Sequence, residues 1–112
     1  MFFADCELAW TSLTKVCKMF SFRQFGFVSA TKDENRIHPT QKPTELWCML
    51  LNYYTKENDL ILDPFAGSQS LRIACHKLKR RYIGFEIDKE YYDKGCEWYK
   101  NFTSQISIFD MI

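Results

Sequence analysis

Two short apolar segments, each ending in a carboxylate, constrain the fold of this chain more than any other feature. They are Asp59-Leu60-Ile61-Leu62-Asp63 and Tyr82-Ile83-Gly84-Phe85-Glu86. Short apolar runs of this length are typical of buried strands. Because a helical pattern lies between them, their order predicts a right-handed crossover that joins two parallel, neighbouring strands. Buried strands that alternate with helices indicate an α/β fold with an open, doubly wound, Rossmann-like parallel sheet.

Three amphipathic helices accompany these strands. Pro43 can open the first helix because its missing N–H costs nothing there, and Asp88 suits the N-cap of the third. Apolar side chains at helical spacing predict the buried faces: Leu46, Met49, Leu50 and Tyr53 in the first, Leu71, Ala74, Cys75 and Leu78 in the second, and Tyr92, Cys96 and Tyr99 in the third. Four basic residues are expected beside the C-terminal dipole of the second helix: Lys77, Lys79, Arg80 and Arg81. The residues after Asn101 form a short tail.

The N-terminal third is less regular. Residues 6–10 and 22–28 are predicted as short strands, the second one rich in aromatic side chains. Residues 31–36 are polar and charged, so a loop is expected there.

Charge and cysteine content narrow the function classes. The formal charge is +1, which is no basic nucleic-acid footprint, so any affinity for DNA must come from local patches or from sequence beyond this segment. No apolar run approaches the length of a membrane span. The five cysteines contain no closely spaced pair of the metal-binding kind, so no metal site is predicted, and we expect buried thiols in a reducing cytoplasm.

The turn after the first strand, Asp63-Pro64-Phe65-Ala66-Gly67-Ser68, is the first candidate binding segment. In open α/β sheets ligands bind where strands end and helices begin. Gly67 allows close approach of the backbone, with free N–H groups facing a ligand. Since a phosphate-binding loop would contain more glycines and avoid an acid, Asp63 favours a ligand that carries a cation, such as a sulfonium. An ordinary strand-to-helix turn capped by an aspartate is the alternative.

Glu86 ends the second strand, 23 residues beyond Asp63. An acid about 20 residues past the first loop of a Rossmann-like sheet accepts hydrogen bonds from ribose hydroxyls. The alternative is a solvated charge at a strand end. Asp88 lies nearby, but its position before a helix favours capping over binding.

A third candidate segment is His38-Pro39-Thr40-Gln41-Lys42-Pro43. Its two prolines fix an extended entrance to the first helix. Thr40 and Gln41 can form hydrogen bonds with a ligand, and Lys42 can meet a carboxylate. Nothing near His38 in the sequence completes a catalytic triad.

These three motifs, in this order, resemble the beta class of DNA amino-methyltransferases, and the resemblance covers roughly residues 36–99. It implies a methyltransferase-type sheet, S-adenosylmethionine as cofactor, and the exocyclic amine of adenine or cytosine in DNA as methyl acceptor. Residues 6–12 also look like a late part of the catalytic half in phage-type members. The resemblance therefore implies a C-terminal part of the enzyme: residues 1–36 from the catalytic half, 37–101 as the cofactor-binding half and 102–112 as a tail.

The resemblance also assigns site residues. Those expected to line the methionine end of the cofactor are His38, Thr40, Gln41, Lys42, Asp63, Phe65, Ala66, Gly67 and Ser68, and Glu86 would hold the ribose. No catalytic residue is assigned. The family's Pro-Pro-aromatic motif, which holds a flipped-out base, cannot occur among Pro39, Pro43 and Pro64. The chain is therefore expected to be inactive alone.

Two further expectations follow from this resemblance. Gln69 replaces a glycine that the family commonly has, so an extra side chain is expected beside the cofactor, weakening its binding. Without the catalytic half, the sheet should expose an unpaired apolar edge, which favours self-association or a partner chain.

Other partners and functions also remain open. The tail Gln105-Ile106-Ser107-Ile108-Phe109 resembles a sliding-clamp-binding peptide, although it could equally pack on its own domain. An alternative function is a non-catalytic module that binds S-adenosylmethionine, or nothing, and acts by assembly with a partner. The 38–43 motif argues against a third possibility, a nucleotide binder with another cofactor.

Overall fold

The fold consists of three helices and a parallel pair of strands. The structure is a computed structural model that describes residues 9–13, 19–20 and 42–110. Its elements are α1 (Thr44–Tyr54), β1 (Leu60–Asp63), α2 (Ser70–Lys77), β2 (Arg81–Gly84) and α3 (Lys89–Asp110). Residues 9–10 have no regular structure, and the remaining predictions for residues 1–8 and 21–41 lie outside the described residues.

The predicted crossover is confirmed. Strands β1 and β2 pair in parallel, with Leu60 opposite Arg81 and Asp63 opposite Gly84. Two backbone bonds continue the pairing past the strand ends, from Phe85 N to Asp63 O at 2.9 Å and from Ala66 N to Phe85 O at 2.8 Å. The turn after β1 and the segment after β2 therefore lie side by side at one edge of the sheet.

The hydrophobic core lies between α1, α2 and one face of the sheet. Leu51, Ala74 and Cys75 are its buried centre, and the half-buried residues around them are Trp47, Cys48, Ile61, Leu71, Leu78 and Tyr82. The predicted inner face of α2 is confirmed. On α1 the residues that pack on this core are Trp47, Cys48 and Leu51. The predicted residues Leu46, Met49 and Leu50 are half-buried but do not belong to this core.

Arg80 connects the end of α1 to the rest of the core. Its guanidinium donates to Thr55 Oγ1 at 2.9 Å, to Thr55 O at 2.9 Å and to Leu51 O at 3.3 Å. These oxygens belong to the last turn of α1 and its C-cap, where the helix dipole favours a cation. The predicted place of Arg80 at the end of α2 is confirmed by a 2.7 Å bond from its guanidinium to Leu78 O, the C-cap of α2, and the cap on α1 is an additional role.

The second face of the sheet is apolar and bare. Leu60, Leu62, Ile83 and Phe85 are between 46% and 65% exposed. Within the described residues each strand has a single neighbour, and the helices that contact the sheet leave these four side chains uncovered. An apolar surface of this kind in a small α/β unit is what a further layer of protein normally covers.

Helix α3 extends further than the sequence predicts. Asp88 caps its first turn, with Tyr91 N donating to Asp88 Oδ1 at 3.2 Å, as expected. The helix then continues past Asn101 to Asp110, so residues 102–110 are helical rather than a separate tail. Among the described residues, no helix combines the length and apolarity that crossing a membrane demands.

Candidate functional site

The candidate site is built around the turn between β1 and α2, here called the 63–69 loop. Asp63, at the end of β1, accepts hydrogen bonds through both carboxylate oxygens. Phe65 N donates to Oδ1 at 3.2 Å, and the Tyr82 hydroxyl donates to Oδ2 at 3.0 Å. Burial, and then the neighbouring Asp63 charge, raise the pKa of Tyr82, so this hydroxyl stays protonated and remains a donor. These two hydrogen bonds thus hold the Asp63 carboxylate in one orientation.

Glu86 lies beside the middle of the 63–69 loop. Its Oε1 accepts a 2.7 Å hydrogen bond from Gly67 N, and its Oε2 accepts a 2.9 Å bond from Asp88 N. Glu86 is half-buried, so it is no freely solvated strand-end charge. Each oxygen of a carboxylate has two lone pairs, so Glu86 can still accept hydrogen bonds from ligand hydroxyls.

The loop backbone is less available to a ligand than its sequence suggests. The N–H groups of Phe65, Ala66 and Gly67 all donate within the protein. Gly67 has a φ of 56°, in the left-handed region, which brings its N–H to Glu86. The expectation of free N–H groups is therefore wrong at these three positions, because Asp63, Phe85 and Glu86 accept their hydrogen bonds.

One cleft of about 470 Å³ brings the predicted residues together. Every site residue that the sequence predicts and the structure describes lines this cleft: Lys42, Asp63, Phe65, Ala66, Gly67, Ser68 and Glu86. The other three, His38, Thr40 and Gln41, lie outside the described residues. The strand ends and the entrance to α1 therefore converge on a single space.

Sequence reasoning missed three residues of the cleft wall, namely Trp47, Ser70 and Leu71. The Trp47 indole donates a 3.0 Å hydrogen bond to Ser70 Oγ, which joins α1 to the start of α2. Its position one helical turn after Pro43 was a usable signal, since residues four apart lie on the same face of a helix. Trp47 gives the cleft an apolar wall.

Gln69, which was expected beside a ligand, points elsewhere. It is 3% exposed and does not line the cleft. Its side-chain amide donates to Tyr92 O at 3.1 Å, on helix α3. The side chain therefore does not enter the cleft, because α3 offers its amide a buried partner.

The cleft suits a nucleoside that also carries a positive charge. The carboxylates of Asp63 and Glu86 can accept hydrogen bonds from hydroxyl groups or face a cation. Lys42 supplies a positive charge, and Trp47 and Leu71 supply apolar contacts. Protein pockets commonly combine apolar walls with a few such polar groups. In the described part of the chain, no group of three or more histidine, cysteine, aspartate or glutamate side chains has the geometry to hold a metal ion.

Comparison with known proteins gives consistent matches. The family model described as DNA methylase matches residues 8–97. The type II methyltransferase M.HpaI of Haemophilus parainfluenzae is 36% identical over 89 residues, covering 80% of this chain and 27% of that protein. The type II methyltransferase M2.DpnII of Streptococcus pneumoniae is 48% identical over 54 residues, 48% of this chain and 20% of that protein.

A solved structure matches as well. The crystal structure of the M1.HpyAVI–SAM complex superposes with a TM-score of 0.60 at 34% identity, covering 73% of this chain and 40% of that one. Compared with M.HpaI and M2.DpnII, the chain spans about a fifth to a quarter of the length of these curated relatives.

Proposed function

The chain belongs to the DNA methylase family, and we propose that it forms the S-adenosylmethionine-binding part of an enzyme that methylates DNA. The methyl acceptor would be the exocyclic amine of adenine or cytosine. The observation that carries this proposal is the cleft of about 470 Å³ in which seven predicted residues meet. It is supported by the likeness to M1.HpyAVI, which was crystallised as a SAM complex.

The proposed roles follow from the chemistry of the cleft. Glu86 accepts hydrogen bonds from the ribose hydroxyls, since it already stands at the loop with lone pairs to spare. Asp63 and the 63–69 loop face the methionine end, and Lys42 meets the cofactor carboxylate. His38, Thr40 and Gln41 are proposed to complete this end. When bound, S-adenosylmethionine supplies the methyl group on a sulfonium.

The chain's own residues bind and orient the cofactor. Holding a flipped-out base requires groups that pair with its edge and stack on its face, and the Pro-Pro-aromatic motif of the family that does this is not in this sequence. We therefore propose that residues 37–101 are the cofactor-binding half, that residues 1–36 come from the catalytic half, and that DNA is bound through the complete enzyme in the cytoplasm. Membership of a phage-borne or restriction-modification system is part of the same proposal.

A second candidate is a non-catalytic module that acts with a partner chain. The bare apolar face formed by Leu60, Leu62, Ile83 and Phe85 favours it, because such a surface is readily covered by another copy or by a partner chain. Methylation that appears only when a chain with the Pro-Pro-aromatic motif is added would support the first proposal. Stable assembly without methylation would support the second.

A sliding clamp is a further proposed partner, through Gln105, Ile106, Ser107, Ile108 and Phe109. The support is the order of glutamine, aliphatic and aromatic residues in the sequence. Residues 105–109 belong to the last turns of α3, so an extended, clamp-bound form requires those turns to unwind.

The test of the proposed function is direct binding of S-adenosylmethionine to the chain by titration calorimetry. Glu86→Gln should weaken binding about 10- to 100-fold, which corresponds to the loss of hydrogen bonds to a charged group. Asp88→Asn is the matched control, since Asp88 caps α3 and does not line the cleft. Equal affinities for the parent and Glu86→Gln would remove Glu86 from the site, and no binding by the parent would overturn the proposal.

A further inference from the structure

Gln69 occupies a backbone position that normally favours glycine. Its φ is 67° and its ψ is 28°, in the left-handed region, immediately before the first residue of α2. Residues with a Cβ atom are disfavoured there relative to glycine. A glutamine at this position therefore needs side-chain interactions that offset the unfavourable backbone.

Those interactions lead to α3. Gln69 Nε2 donates to Tyr92 O at 3.1 Å and lies 3.4 Å from Cys96 Sγ, and Gln69 Oε1 accepts a 2.9 Å bond from Arg72 Nη1. The Arg72 guanidinium in turn stacks on the Tyr99 ring, with its carbon 3.7 Å from the ring centroid. Both ends of the amide are thus occupied, and two of its three partners, Tyr92 and Cys96, belong to α3.

Helix α3 makes room for this side chain at Gly95. A Cβ atom on Gly95 would stand 2.7 Å from Gln69 Nε2 and 2.8 Å from Gln69 Cγ, closer than such atoms approach. Gly95 is buried within a helix of 22 residues, where glycine weakens the helix relative to alanine. The helix thus carries an unfavourable residue at a position where the Cβ atom of alanine would collide with Gln69.

We infer that Gln69 is a positioning residue that holds the 63–69 loop against α3, with Gly95 as its matched partner. This inference rests on the proposed function, because the loop is the proposed cofactor loop. Gln69 N donates to Ala66 O at 2.8 Å and closes the turn that contains Gly67 and Ser68. Since both of those residues line the cleft, fixing Gln69 fixes the part of the loop that faces the cofactor.

The pairing with Gly95 is tested by thermal unfolding of four proteins: the parent, Gly95→Ala, Gln69→Gly and the double variant. In the parent, Gly95→Ala should lower Tm because the new methyl group displaces the Gln69 amide. In the Gln69→Gly background the same change should raise Tm, because alanine favours the helix and nothing is displaced. A Gly95→Ala effect of the same sign in both backgrounds overturns the pairing.

The positioning role is tested by cofactor affinity. Gln69→Asn keeps a residue that tolerates the left-handed region but is one methylene too short to reach α3. It should weaken S-adenosylmethionine binding roughly threefold to tenfold, the equivalent of one lost hydrogen bond. Glu97→Asp, which shortens an exposed side chain of α3 by the same single methylene, is the matched control and should bind like the parent.

The two measurements separate positioning from packing. A residue that only stabilises the fold would change Tm while the dissociation constant, measured well below the unfolding temperature, stayed at the parent value, and that result overturns the positioning role. Absence of binding by the parent overturns the proposed function and the positioning role together. The sign of the Gly95→Ala effect on Tm then still decides whether Gln69 and Gly95 are paired.

Discussion

The hydroxyl of Tyr82 reaches from β2 to β1 and donates a 3.0 Å hydrogen bond to Oδ2 of Asp63. The Tyr82 ring lies over Gly84 on its own strand, where any Cβ atom would overlap the ring. Gly84 therefore provides the space in which Tyr82 can reach the neighbouring strand. Asp63, the first residue of the 63–69 loop, is oriented by a donor that is itself held by the sheet.

Replacing Tyr82 by phenylalanine should lower the free energy of unfolding by about 1 to 3 kcal/mol, because a half-buried carboxylate loses a hydrogen-bond donor. Urea denaturation of Tyr82→Phe and the parent measures this difference. Tyr92→Phe is the matched control, since it removes a hydroxyl from a ring that is largely exposed. Equal losses in the two variants would show that the bond to Asp63 contributes nothing specific.

Stability should fall in alkaline solution through Cys75. Burial, and then the Asp63 charge, raise the pKa of the Cys75 thiol from 9.0 to about 11. Because the folded-state pKa lies above the unfolded one, the stabilisation is complete below pH 9 and is lost as the pH rises towards 11. Two pKa units correspond to about 3 kcal/mol at most.

Cys75→Ala should flatten this decline, although it lowers stability at pH 7 by creating a small cavity. The measurement is urea denaturation of both proteins between pH 7 and pH 11. Carrying both proteins in a Tyr82→Phe background removes the titration of Tyr82, whose raised pKa depends in part on Cys75, so the difference between them isolates the thiol. Parallel pH profiles would contradict the assignment to Cys75.

The purified chain should not methylate DNA. The physical reason is that no Pro-Pro-aromatic motif is present to hold a flipped amine in line with the methyl donor. Incubation with labelled S-adenosylmethionine and mixed-sequence DNA measures incorporation, with a full-length relative such as M.HpaI as positive control. Incorporation that disappears in Glu86→Gln would mean that this chain contains a complete catalytic site.

The chain should associate with itself through the bare face of the sheet. Light scattering over a range of concentrations should show a mass that rises with concentration, and Leu62→Lys should reduce it, since a charge is costly to bury in an apolar contact. Asn52→Lys is the matched control, because it adds the same charge at an exposed position of α1. A parent that is monomeric at every concentration would contradict this prediction, as would equal effects of the two lysines.

Much of the architecture was predictable from local sequence. The apolar runs ending at Asp63 and Glu86, with a helical pattern between them, were enough to predict parallel pairing of β1 and β2. The same carboxylates marked the edge of the sheet at which the cleft forms. These predictions succeeded because strands, helix caps and the acids at strand ends are encoded within a few residues of the positions they affect.

The sequence alone could not decide between alternatives that differ only in distant contacts. Helical spacing on α1 pointed to Leu46, Met49 and Leu50, whereas the residues that pack with Ala74 and Cys75 are Trp47, Cys48 and Leu51. Arg80 bonds the end of α2, as its sequence position predicts, but it also caps α1, because the carbonyls of Thr55 and Leu51 lie within its reach only after folding.

Gln69 shows the same division between what local sequence predicts and what distant contacts decide. Its sequence position next to Gly67 and Ser68 identified it as part of the binding loop and as a departure from the family. Its direction depended on Tyr92 and Gly95, more than 20 residues further along the chain, which offer a carbonyl acceptor and an open space. Local sequence therefore determined which elements form and where the site lies. Tertiary structure decided which way the side chains point, because each orientation is set by hydrogen-bond partners and free volume that exist only once the helices and strands are packed.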